Sequence, residues 1–543
     1  VSEQQRATGA GGAGEQSQAG ALGGAVRSTG LMTLASRLFG MLRDVLVGRV
    51  LGDTALGSAF AAAFAVPNMF RRLLGEGALS AAFVPAYARA HGQRASLAGA
   101  LASLTLRRLG LVTGALTVVI ELGLLAALLL AGGDQERAMS IKLLMVMLPF
   151  MPFVCCTAIL MGMLQVHGRY ALAASGPVVL NAVIIVTGLY FVLTGQRGGA
   201  GVAYALGVAT VVAGAVQTVS FWRALRPHAH FGAHDEGARE AAAGMWRAFA
   251  PAAIGLGALQ VGTLLDTVIA MWPVWVGPTV LGRAVPLDEA SNAILSLTSR
   301  LYQFPLGVFG VAVATAAFPL LARTAGDDGA FAGVLRRGVR LSLLVGLPAS
   351  AGLVLVRHDL VSVLFAGGPE ARTGFSAQGV ARSADVLLGY SVAVWAYGLN
   401  QVLTRAFYAR GDVRTPMRVA IAGVGLSLAL NLALIWPLRE AGIAWGTAIS
   451  AVAQLGLLAW IGRGRLPRVM DAQTARSALV LLALTGAMAG AVLAVLALWP
   501  EPGRWREHAL RLCVCTVVGT GVYGGLCLLL RRPEVGWLVR RGG

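Results

Sequence analysis

The sequence predicts an all-α polytopic membrane protein of about fourteen transmembrane helices, arranged as two pseudo-symmetric six-helix lobes plus a C-terminal helix pair. Three observations predict it. The 543 residues are 57% hydrophobic and only 13% charged, with a mean hydropathy of +0.72, whereas a soluble domain carries about 25% charged residues. Apolar runs near the ~20 residues that a bilayer requires recur along the chain. Arginine is concentrated in alternate connections between those runs, the bias that cytoplasmic loops show.

Taken in order, residues 1–24 are Gly, Ala, Gln and Ser without periodicity, the composition of a disordered cytoplasmic tail. No basic segment followed by a short apolar core marks a cleavable signal peptide. Spans are expected near 26–51, 55–88, 106–131, 139–166, 170–194, 199–224, 245–272, 287–322, 337–366, 381–409, 415–436, 441–462, 475–499 and 508–530. Every even-numbered span ends in a basic connection, from Arg89 and Arg94 through Arg323, Arg336 and Arg337 to Arg531 and Arg532. The opposite connections hold Asp53, Asp134, Glu136, Asp288, Glu289, Glu440 and Glu501. That asymmetry places both termini in the cytoplasm, and it accounts for the net charge of +19 without nucleic acid.

A weak repeat divides the chain. Phe83, Pro85 and Arg89 close the second span as Phe318, Pro319 and Arg323 close the eighth, six spans later. The expected division is an N-lobe at 25–243, a C-lobe at 244–470, the helix pair at 471–531 and a cytoplasmic tail at 532–543. Repeated lobes with a site between them are a common transporter design.

The stretch from Ser36 to Pro85 carries the chemistry. It is apolar enough to span, yet Arg37, Arg43, Asp44, Arg71, Arg72 and Glu76 lie in or beside its helices. Each charge at a bilayer centre costs about 2.5–3.5 kcal/mol on insertion scales. Such charges are expected to face a wet cavity that binds an anion, against the alternative that arginines near helix ends snorkel to head groups. Arg300, in the apolar eighth span with Gln303 nearby, is expected to face the same cavity. Asp266 in the seventh span is an isolated carboxylate. It could bind a cation or proton with Asn400 and Thr404, which are one turn apart, or pair with an arginine; interhelical hydrogen bonding explains the last two equally well. Glu121 reads as a helix-end residue.

Several chemistries find no support. The five cysteines include no C-x-x-C and read as buried thiols. His228, His230 and His234 precede Asp235 and Glu236 in a connection, but an exposed basic loop is a poor metal site, and no metal is expected. No nucleotide-binding loop or hydrolytic triad stands out, so the chain is expected to be no enzyme.

Residues 36–85 resemble the signature of the MurJ (MviN) lipid II flippase family of the MOP superfamily. The matching positions are Ser36, Arg37, Gly40, Arg43 and Asp44, then Pro67, Asn68, Arg71, Arg72, Glu76, Gly77, Ala78, Ser80 and Phe83-Val84-Pro85. SRLYQFPLGVFGVA at 299–312 and RAFYARGDVRTP at 405–416 extend the likeness to the second lobe. The resemblance implies a fourteen-helix transporter in the bacterial cytoplasmic (inner) membrane. It would move undecaprenyl-pyrophosphate-linked disaccharide-pentapeptide to the outer leaflet for peptidoglycan synthesis. It also implies a cationic cavity at Arg37, Arg43, Asp44, Arg71, Arg72 and Arg300, and a groove for the polyprenyl tail at 475–499 and 508–530. No cofactor is implied beyond a coupling ion, sodium or a proton, with Asp266 and Asn400 as candidates and Thr404 standing where a carboxylate would be expected. Lipid II, membrane lipids and the cell-wall synthesis machinery are the implied partners.

Two departures stand out: Ser58 and Ser299 occupy positions where the family often has an acid. Either the first carboxylate is dispensable or Asp53 replaces it. The expected mechanism is alternating access driven by membrane potential or an ion gradient. Arg43, Arg72 and Arg300 would hold the pyrophosphate, and Asp44 would orient Arg43. The rivals are a flippase for another polyprenyl-linked glycan, another superfamily exporter, a membrane enzyme acting on polyprenyl phosphates, and a scaffold without transport activity.

Overall fold

The apolar runs form helices because a chain in hydrocarbon must satisfy its backbone hydrogen bonds internally. A computed structural model describes residues 32 and 35–539 except 76–77, 131–132, 197, 233–234, 367–373 and 468; at 74–75, 78, 81, 248, 250–259, 261, 309 and 538–539 it describes the backbone alone. The tail at 1–24, Glu76 and His234 lie outside the described residues.

The first half runs α1 (35–51), α2 (Ala55–Phe70), a π-helical turn Arg71–Gly75, α3 (Ala78–Gln93), α4 (Ala95–Leu129), α5 (Gln135–Met147), α6 (Phe150–Val166), α7 (Tyr170–Ala174), α8 (Gly176–Leu193) and α9 (Ala200–Leu225). The second half opens with α10 (Gly237–Ala270) and α11 (Trp272–Trp275), then a hairpin of β1 (Thr279–Val280) and β2 (Arg283–Ala284). Its strands are antiparallel, Thr279 opposite Ala284, around Leu281 and Gly282, both at positive φ as a type I′ turn requires. There follow α12 (Ser291–Pro305), a second π-helical turn Leu306–Gly310, α13 (Val311–Arg323), α14 (Asp328–Phe365), α15 (Ala377–Ser391), α16 (Val394–Ala409), α17 (Arg414–Leu438) and α18 (Glu440–Gly462). The chain ends in α19 (Ala472–Leu498), α20 (Trp505–Leu529) and the short α21 (Pro533–Val539).

Eleven helical stretches among the described residues are long and apolar enough to cross a membrane. The expected spans at 26–51, 55–88 and 245–272 fall on α1, on α2 with α3, and on α10. Among the helices that begin earlier than hydropathy suggests are α4 and α14. The Ala- and Leu-rich residues before 106 extend α4 back to Ala95, as good helix formers do. Asp327 starts α14 nine residues early by accepting from the amides of Gly329 and Ala330.

The repeat has a structural counterpart. The offset that aligns Phe83 with Phe318 also aligns the π-helical turn at Arg71 with the one at Leu306. The apolar cores divide along the chain in the same way, one drawn from 47–245 and the others chiefly from 269–527. Long side chains such as Leu129, Leu498, Val517 and Leu528 are exposed, as suits a surface facing lipid.

At the end away from the arginine-rich connections the two halves are joined by side-chain hydrogen bonds. Ser58 of α2 takes the first turn of α12: its carbonyl accepts from Asn292 Nδ2 at 2.8 Å and its Oγ from the Ala293 amide at 2.9 Å. Asp53 caps α15 instead, accepting from the Ser376 amide at 2.9 Å and hydroxyl at 2.6 Å. Arg49 donates to the Leu364 and Val363 carbonyls at 3.0 and 2.7 Å. Ser58 therefore caps the start of α12, and Asp53 holds a different helix end.

Candidate functional site

α1 delivers Arg43 and Asp44 to the centre between the halves, the π-helical turn after α2 delivers Arg71 and Arg72, and α12 brings Arg300 from the other side. Helical spacing puts Arg43 about 100° from Asp44, yet the long arginine side chain curls back. Its Nε and Nη2 donate to Asp44 Oδ1 at 3.0 and 2.7 Å. Nη1 donates to Asn181 Oδ1 of α8 at 2.9 Å, and the guanidinium lies 4.8 Å over the Phe64 ring. Arg43 is thus bound on both edges and one face.

Asp44 also faces Arg300, whose Nε lies 3.7 Å from its Oδ2. This pair crosses from the first half to the second. Arg300 Nη1 reaches Gln303 Oε1 only at 3.4 Å, so its donors are loosely committed. Arg71 Nε donates to Asn68 Oδ1 at 2.8 Å, one turn back. π-helical turns concentrate at functional sites, and this one sets two consecutive arginines on the cavity wall.

Two adjoining cavities share these groups. One of about 140 Å³ is lined by Arg43, Asp44, Arg72, Arg300, Gln260 and Ser299 among others. A second of about 170 Å³ has Arg43, Arg71, Arg72 and Arg300 in its wall with Asn181 and Gln217. Asp44 is the single carboxylate among the described lining residues. Four guanidinium groups against one carboxylate leave the chamber strongly positive, and arginine forks match phosphate oxygens in pairs.

Not every expected residue is there. Arg37 lines neither cavity; its guanidinium packs directly on Gly307 of the second π-helical turn, where any side chain would collide with it. Glu76 lies outside the described residues. Asn181, which the sequence reading passed over, is the buried partner of Arg43; the signal was a lone amide in the apolar run of α8.

Asp266 and Asn400 meet in a third cavity of about 300 Å³ within the second half, with Gln401, Ser427, Thr447 and Gln454; Thr404 is not in its wall. Asp266 Oδ1 accepts from Asn431 Nδ2 at 2.7 Å, a second amide the sequence reading missed. Asn400 Nδ2 donates to the Ala451 carbonyl at 2.9 Å. The Oδ1 atoms of Asn400 and Asn431 are buried without a partner. A half-buried carboxylate in one cavity with Asn400, whose amide oxygen has no partner, offers oxygen donors of the kind a small hard cation takes.

A fourth and larger cavity, about 880 Å³, is an apolar groove between α14 and α20. Leu344, Pro348 and Leu353 form one wall, Thr516, Gly519 and Tyr523 the other, and Leu301 and Phe304 of α12 lead toward the cationic chamber. Buried ion pairs fasten α20 and its extension to α14 at both ends. Arg511 grips Asp359 at 2.7 and 2.8 Å; Arg340 donates to fully buried Glu534 of α21 at 2.8 Å, with Ser477 and Arg532 on the same oxygen. The tail expected at 532–543 therefore begins as a docked helix.

Two repeated helical halves with a cationic chamber between them and an apolar groove beside it are the architecture of a membrane transporter. The fold is shared with solved transporters of the MOP superfamily. An inward-facing multidrug-resistance MATE transporter matches with TM-score 0.62 at 15% identity, over 80% of this chain and 98% of that one. The lipid II flippase MurJ in an inward closed conformation matches with TM-score 0.73 at 19% identity, over 93% and 99%.

The family model described as lipid II flippase MurJ matches residues 47–513, and the chain belongs to that family. A probable lipid II flippase MurJ of Rhizobium meliloti (strain 1021) is 31% identical over 84% of this chain and 86% of its own length. Another, from Vibrio cholerae serotype O1, is 29% identical over 92% and 94%.

Proposed function

We propose that the chain is a lipid II flippase of the bacterial cytoplasmic membrane, carrying the undecaprenyl-pyrophosphate-linked peptidoglycan precursor from the inner to the outer leaflet. One observation carries the reading: four guanidinium groups from both halves converge on one chamber with a single carboxylate among them. A pyrophosphate is the natural complement of such a site, and the apolar groove continuous with α12 fits the polyprenyl tail.

Arg72 and Arg300 make first contact with the phosphates, because Arg43 already spends its donors on Asp44 and Asn181. As the head group enters, phosphate oxygens displace Asp44 from Arg43 and Arg300, and the cross-half pair breaks. That exchange couples loading to movement of the halves, by differential contact in two states. The seam at Ser58, Asp53 and Arg49 holds the outer end shut while the inner end loads, with both termini in the cytoplasm. A monovalent cation, sodium or a proton, at Asp266, Asn400 and Asn431 resets the second half, alongside the membrane potential.

The test is complementation of a flippase-depleted strain together with a lipid II accessibility assay. Arg43→Ala is expected to abolish both at normal protein levels; normal growth and exposure would refute the reading. A drug-cation exporter is disfavoured because it would need carboxylates where the chamber has arginines. If depletion leaves lipid II exposure intact but traps another polyprenyl glycan, the substrate is that glycan.

A further inference from the structure

We propose that His358 and His508 form a divalent transition-metal site, of the kind zinc occupies, which staples α20 to α14 beside the mouth of the apolar groove. The donor atoms of His358, Asp359 and His508 lie within 4.8 Å of one another, and the two imidazole rings are 5.8 Å apart. They come from different helices, 150 residues apart in the chain, at the end of the clasp opposite α21.

Asp359 decides the chemistry without being a ligand. Both its oxygens are held by Arg511, from Nε at 2.8 Å and Nη2 at 2.7 Å, which fixes the carboxylate in place as an acceptor. His508 Nδ1 lies 2.7 Å from Asp359 Oδ1. With both its oxygens already accepting from Arg511, Asp359 is the acceptor here too, so Nδ1 donates to it and Nε2 is the ring nitrogen left for a metal. That carboxylate–histidine arrangement is the one that orients metal-binding imidazoles and raises their basicity. His358 is exposed and free to turn. Two nitrogens bound tetrahedrally at about 2.0–2.1 Å stand roughly 3.4 Å apart, a closure that one side-chain rotation supplies. Water completes the coordination.

A site here has a use. The groove wall formed by α20 is pinned to α14 at this end by the Arg511–Asp359 pair, the His508–Asp359 contact and a hydrogen bond from Trp505 to the Val363 carbonyl, and a metal adds a further, reversible link. Bound metal holds the groove mouth in one width, so the tail-binding groove becomes sensitive to zinc on the outer face.

The experiment uses the full-length protein in detergent, purified without a histidine tag and stripped with chelator, titrated calorimetrically with zinc chloride. Wild type is expected to bind in the micromolar range, and its melting temperature to rise with zinc. His358→Ala and His508→Ala should each weaken binding by about 10-fold or more, while His358→Cys, which supplies a thiolate ligand, stays near wild type. His91→Ala, in a separate imidazole cluster with His167, should leave this binding unchanged. Exposed His358 is the variant least able to disturb folding, so its elution profile and zinc-free melting temperature should match wild type. Wild type that takes up no zinc, or a His358→Ala protein that binds as tightly as wild type, overturns the proposal.

Discussion

Replacing Asn181 by alanine removes the acceptor for Arg43 and a longer bond from Nδ2 to the Ser36 carbonyl at 3.4 Å. The amide is 4% exposed, and its Oδ1 accepts from Arg43 Nη1 at 2.9 Å. Arg43 itself is only 12% exposed, so water cannot freely replace the lost acceptor. A hydrogen bond to a charged group contributes about 1.5–3 kcal/mol, which corresponds to roughly 10- to 150-fold in an equilibrium constant. Freed on that edge, Arg43 swings toward Asp44 and leaves the position at which it meets the phosphates. Lipid II binding to purified protein should weaken within that range, and lipid II exposure in depleted cells should fall in parallel. Asn181→Asp separates geometry from charge. It keeps an acceptor at the same place but adds a second carboxylate to the chamber, so anion binding should fall at least as far as in the alanine variant. Wild-type binding in Asn181→Ala would refute the positioning argument, and wild-type binding in Asn181→Asp would refute the electrostatic one.

Other outcomes follow from the same geometry. Arg300→Ala should lose binding and also the cross-half pair with Asp44, whereas Arg300→Lys should retain part of the first because charge remains without the fork; equal loss in both would mean that charge alone is insufficient. Arg511→Ala leaves the Asp359 carboxylate buried with one arginine fewer, and breaking a buried pair costs about 3–5 kcal/mol, to be read as a large drop in melting temperature in detergent. Gly57→Val forces a side chain against the Gly52 carbonyl and Ala293, so cysteine pairs across the Ser58–Asn292 seam should cross-link less. Stability should also respond to acid through Asp288. Burial alone would raise its carboxyl, but hydrogen bonds and charge from Arg382, with Ser291 and Arg439, outweigh that and hold it below the usual value. Its contribution is therefore present above the unfolded value of about 3.9 and lost as pH falls through the lower folded value. Melting temperature should show no loss from this group between neutral pH and about 5, then a loss below about 4 that Asp288→Asn reduces.

The amino-acid sequence by itself determined the membrane-spanning helical class, because apolar runs of bilayer length admit few other structures. It also determined that Arg43, Asp44, Arg71, Arg72 and Arg300 belong together, since charges in such runs are too costly to be incidental. The six-span repeat was legible from Phe83 and Phe318, and the paired π-helical turns follow the same register. Tertiary structure decided the rest. Hydropathy says nothing of which arginine is spoken for, so only the fold shows Arg43 committed to Asp44 and Asn181, and Arg37 placed against Gly307 outside the chamber. Asn181 and Asn431 looked like ordinary amides in apolar helices; their partners lie 138 and 165 residues away, a distance no local pattern can bridge. Likewise the clasp between α14 and α20, and the pairing of Asp359 with Arg511 and His508, depend on helices brought together by packing. Local sequence sets what each helix can carry, and only long-range packing sets which charges meet.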